Sequence, residues 1–140
     1  MAFSGNYSCN VFKTGLMNGD FDFSADTFYL ALYTNEATLN ASTTAYTTTG
    51  EVVATGYTAG GQALTVSTTP TVGSSGTTAY ISFDNVTWTS ALTARGALIY
   101  KSGDNGAVCV LDFGSDKTST ATFTVEFPAS TNTSAIIRIA

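Results

Sequence analysis

Three glycines crowd the stretch GYTAGGQALT (56–65) of this 140-residue chain: Gly56, Gly60 and Gly61. Closely spaced glycines expose backbone amides, and such loops cradle phosphate when the right residues follow. A P-loop needs Lys and then Ser or Thr after its last glycine, whereas Gln62 and Ala63 follow Gly61. A dinucleotide fingerprint opens a helix, and QALTVST alternates like a strand. Gly56, Gly60 and Gly61 therefore read as a structural turn, with positive φ or close backbone approach.

Other candidate chemistry fares no better. The chain has no histidine, which removes Ser-His and Cys-His nucleophile pairs and the commonest metal ligand. Asp20 and Asp22 could form a glycosidase-like carboxylate pair, but in NGDFDFSAD they alternate with Phe21 and Phe23, as on a two-faced strand. Asn18, Asp20, Asp22 and Ser24 imitate a calcium loop. Phe23 stands where its glycine belongs, and Tyr29 where its bidentate Glu belongs. DFG at 112–114 lacks a kinase's other motifs and reads as a strand end with a turn at 114–116. Cys9 and Cys109 have no metal-ligand spacing, and Cys109 in AVCVLDF reads as a free buried thiol. These residues suggest no catalytic group, metal or cofactor.

The elements that would hold such residues are mostly strands. Only 11% of residues are charged, while 26 are Thr and 14 Ser, a composition suited to pleated sheet with hydroxylated faces. Tyr7, Val11, Phe12 and Leu16 predict one short helix between Tyr7 and Met17, ending near Gly19. Strands are expected at 27–34, 51–55, 62–69, 77–83, 85–90, 95–101, 107–113, 120–127 and 134–139, with KSGDNGA (101–107) as a hairpin turn. The last strand should return to pair with an earlier one. The fold class is mainly β: one domain over 1–140, an antiparallel sandwich or barrel-like fold, with an N-terminal segment at 1–19 and a polar loop at 35–50.

Ten acidic residues against five basic ones, with no basic run, argue against a nucleic-acid partner. No apolar run is long enough to span a membrane, and the first residues do not read as a signal peptide. Four sequons, at Asn6, Asn40, Asn85 and Asn132, are expected by chance in so Ser/Thr-rich a chain.

Four stretches in order, GLMNGDFDFSADTFYLALYT (15–34), EVVATGYTAGGQALT (51–65), VTWTSALTARGALIYK (86–101) and VCVLDFGSDKTSTATFTVEFP (108–128), carry a family resemblance. The run resembles small virion structural proteins of tailed bacteriophages, among them capsid decoration or cement proteins. The resemblance implies a structural, non-enzymatic role on the virion's outer capsid surface, with the major capsid protein as partner. Self-association as a homo-oligomer, a trimer at local threefold positions, follows from matching symmetry. A tail or fibre component and a carbohydrate-binding β-sandwich for host attachment are the alternatives, with a two-carboxylate glycan hydrolase behind them. Tyr57, beside the glycine corner, is the candidate exposed aromatic for a protein interface. Arg95 is the second interface candidate, although pairing with a nearby carboxylate is its simpler role. Trp88 and Tyr100 are expected in the core.

Overall fold

The computed structural model describes residues 3–140. Three antiparallel sheets and one short helix, α1 (Asn10–Asn18), make up its regular structure. The largest sheet contains β1 (Tyr7–Ser8), β2 (Phe28–Tyr33), β3 (Gln62–Ala63), β7 (Thr93–Lys101) and β8 (Ala107–Thr118), in the order β1-β8-β7-β2-β3. A second sheet orders β4 (Val66–Val72), β5 (Ala79–Phe83) and β10 (Ile137–Ile139) as β10-β5-β4. β6 (Val86–Trp88) pairs with β9 (Phe123–Val125). The mainly β, antiparallel, sandwich-like reading holds, and the C-terminal strand does return, placing Ile137 opposite Ile81.

Burial explains the architecture. Leu98, Ile99, Val108 and Val110 on the central strands are fully buried, as expected of strands covered on both faces. β2 is covered on both faces too. Phe28 meets Phe83 of the second sheet, with ring centroids 6.3 Å apart, and stacks on Phe23 at 4.6 Å. Tyr29 lies opposite Tyr100 in register, and Tyr46 from the long excursion after β2 stacks on Tyr100 at 4.8 Å. The polar loop at 35–50 is thus part of the packing: Ala37 and Leu39 are buried within it, and Ala45 bridges to Gly106.

Several expected elements change. The helix starts at Asn10, because Tyr7 and Ser8 are drawn into the sheet opposite Val110 and Cys109. Its end is a left-handed glycine cap: Gly19 (φ 81°) donates to the Leu16 carbonyl, and Asp20 donates to that of Gly15. Asp20–Phe23 is not a strand, since Phe21 and Phe23 both turn in against Phe12, at 5.1 and 5.9 Å. The expected strand at 51–55 shrinks to a bridge between Glu51 and Tyr33, ended by a turn in which the Tyr57 amide donates to the Ala54 carbonyl. The single strand expected at 62–69 divides between two sheets at Leu64–Thr65. Finally, the turn expected at 114–116 is a bulge inside β8. Gly114 has φ 83°, and the register slips between Asp112, opposite Gly96, and Lys117, opposite Ala94.

Candidate functional site

The glycine corner is organised by a residue the sequence does not advertise. Glu51 is 8% exposed, and its carboxylate accepts hydrogen bonds from the Tyr46 hydroxyl (2.6 Å), the Tyr57 hydroxyl (2.7 Å) and the Gly60 amide (2.8 Å). The Tyr57 hydroxyl in turn accepts from the Leu32 amide (2.9 Å), and Tyr100 donates to the Gly60 carbonyl (2.7 Å). One carboxylate thereby ties the corner to the middle of β2 and to β7. Strong acceptors take several donors readily, and charge-assisted bonds of this kind are the stronger class.

The glycines allow this close approach. Gly56, Gly60 and Gly61 have φ of 89°, 97° and 78°. A Cβ on Gly61 would stand 1.8 Å from the Leu30 carbonyl oxygen, and one on Gly56 would stand 2.5 Å from that of Thr89. Gly60 is more open, its nearest neighbour being the Tyr100 hydroxyl at 3.3 Å.

The surrounding phenols are held neutral. Burial, joined by the negative charge of Glu51, pushes Tyr33, Tyr46 and Tyr57 well above the ordinary phenol value and Tyr100 up to about 12. For Tyr46 and Tyr57, the hydrogen bond each donates to Glu51 is the second cause, because the bond favours the protonated phenol. Burial also raises the free thiols, Cys9 to about 11 and Cys109 to about 12. With its acceptors committed to three donors, Glu51 functions as a structural hub.

Tyr57 therefore needs correcting as an interface candidate. It is 9% exposed, its hydroxyl serves Glu51, and its ring lies 5.9 Å from that of Trp88. Arg95 is partly buried and takes the simpler role, its Nε lying 3.2 Å from Asp112 Oδ1, with the two side chains 16% and 12% exposed. Trp88 and Tyr100 are core residues. The Trp88 indole N–H has no hydrogen-bond partner among the described residues.

Asp20 and Asp22 lie in the turn between α1 and β2, outside any strand. Asp22 accepts from the side chain and amide of Ser24, which together hold its carboxyl below the usual range, while the Asp20 carbonyl accepts from Lys101 Nζ at 2.6 Å. Among the described residues no three His, Cys, Asp or Glu side chains gather as a metal site.

Two of the grooves on the surface are mainly apolar. A small one, about 110 Å³, lies between α1 and the second sheet, lined by Phe12, Leu16, Pro70, Ile81 and Ile139. A larger one, about 430 Å³, lies between the end of β8 and β9, lined by Phe113, Lys117, Phe123, Thr124, Val125 and Glu126. Neither is legible in the sequence: the small groove joins α1 to strands far along the chain, and the larger one depends on how the end of β8 turns back towards β9. Glu51 was equally silent, although it is the only carboxylate between Glu36 and Asp84.

No family model, curated protein sequence or solved structure matches this chain.

Proposed function

We infer that this protein is a structural component of a tailed-phage virion, acting as a decoration protein that binds the outer capsid surface as a symmetric oligomer. The observation that carries this reading is the ordered four-part resemblance. Its segments hold β2, the Glu51 corner with β3, strands β6 and β7, and strands β8 and β9. The resemblance thus rests on the packed frame of the molecule, where the distinctive polar cluster is occupied in holding the backbone. A rigid, acidic, hydroxyl-rich β-domain suits a part that is built into a particle. Each copy bound to the assembled shell stabilises it by mass action, and an oligomer touching several subunits at once gains avidity.

The test is to mix purified protein with undecorated capsids and, separately, with isolated tails, and to sediment each. Saturable binding to capsids is expected. Binding to tails alone would move the protein to a tail address. Binding to neither, together with retention on a host-glycan column, would replace the structural reading with the carbohydrate-binding one.

A further inference from the structure

The larger groove follows the unpaired edge of a strand. Four consecutive residues of the chain, Phe123 to Glu126, line it. Successive residues of a strand point to opposite faces, so lining by a consecutive run fits a groove along the strand's edge. No β6 residue lines the groove, which places it on the side of β9 away from its one partner strand. Apart from the β6 ladder, the backbone of 121–126 makes no hydrogen bond among the described residues. An uncovered edge of this kind is a template for another strand.

The far wall shows what fits there. Phe113 and Lys117 stand on either side of the Gly114 bulge in β8, and Phe113 lies 6.2 Å from Phe123 at the apolar floor. Lys117 and Glu126 face the same groove from its two walls, yet neither makes an ion pair among the described residues. A groove with one cation on one wall and one anion on the other is complementary to itself.

We propose that this groove is the contact between two copies of the chain, with β9 paired antiparallel to β9 of a second copy about a twofold axis. Centred on Thr124, that register sets Phe123 opposite the second copy's Val125, and Glu126 opposite its Thr122. Thr122 follows Lys117 by five residues and precedes Phe123, where the lining of the groove by β9 begins. Each copy's Glu126 thereby approaches the other's Lys117, and the contact is made twice, as twofold symmetry requires. The two β6–β9 ribbons become one four-stranded sheet. This gives the proposed symmetric oligomer a twofold self-contact in place of the threefold one that the resemblance implies, and it rests on the decoration reading only for its use on a capsid.

Sedimentation equilibrium of the purified chain, without capsids, tests the contact directly. The wild type should form dimers. Lys117→Glu and Glu126→Lys should each weaken dimerisation by roughly tenfold or more, while the double exchange, K117E with E126K, restores it. Circular dichroism on each variant checks that the fold is intact, as expected for exposed positions. A monomeric wild type, a trimer, or a dimer indifferent to both single reversals would overturn the proposal. Capsid pelleting of the same samples separates the two ideas: binding that persists in a charge-indifferent oligomer leaves the decoration role standing and removes this contact.

Discussion

The glycine corner and the β8–β9 groove treat their backbone polar groups in opposite ways. At the corner, backbone amides and carbonyls that would otherwise be stranded are met by Glu51, Tyr57 and Tyr100. Along β9, the edge away from β6 is left without partners, above a floor of Phe113 and Phe123. Buried polar groups must be paired inside the molecule, whereas an exposed edge can wait for a partner outside it. The difference separates what holds the fold from what is left for binding.

Breaking the corner should have the largest effect. Gly61→Val forces a side chain into the Leu30 carbonyl at a left-handed φ, and a loss on the order of 4 kcal/mol or more is expected in urea unfolding. The single, buried Trp88 provides the fluorescence signal. Removing the hub is next. Glu51→Ala leaves two phenols and the Gly60 amide without their acceptor and should cost about 3 kcal/mol by the same assay. Gly60→Val adds strain at φ 97° but meets only the Tyr100 hydroxyl, so a cost of about 1–3 kcal/mol is expected. Lys117→Ala, at the open groove, should change the stability of the isolated chain by less than about 0.5 kcal/mol. Equal losses for Gly61→Val and Lys117→Ala would erase the contrast between the two regions.

Alkali sharpens the same comparison. A phenol whose folded pKa is raised stabilises the fold in its neutral form. That contribution is intact below the unfolded value of about 10 and is lost as pH climbs above it. Tyr33, Tyr46, Tyr57 and Tyr100 are all raised, with Tyr100 at about 12. Unfolding midpoints should therefore fall progressively between about pH 10 and 12. In Glu51→Gln, which removes the negative charge beside these phenols, the fall should be shallower. An unchanged midpoint across this range would contradict the hub's role.

The sequence made the fold class legible because strand signals are local. Alternation in FYLALY, the SGDN hairpin between β7 and β8, and Gly19 after an amphipathic run each depend on near neighbours. What it concealed depends on distant ones. Tyr7 has helical spacing but, with Ser8, follows the edge of β8, and GSD looks like a turn but is absorbed as a bulge in a long strand. Tyr57 looked exposed beside three glycines, yet those glycines are what let the corner fold down and bury it. Glu51 carries no motif, since its donors come from Tyr46, Tyr57 and Gly60 through tertiary folding.

Amide hydrogen exchange at two protein concentrations tests the division between a locked corner and an open edge most directly. The Gly60 and Leu32 amides, bonded to Glu51 and Tyr57, should exchange slowly in dilute and concentrated samples alike. The β9 amides that face away from β6 should exchange quickly when dilute and become protected when concentrated. Corner amides that exchange as fast as those of β9, or β9 amides whose exchange ignores concentration, would contradict the account.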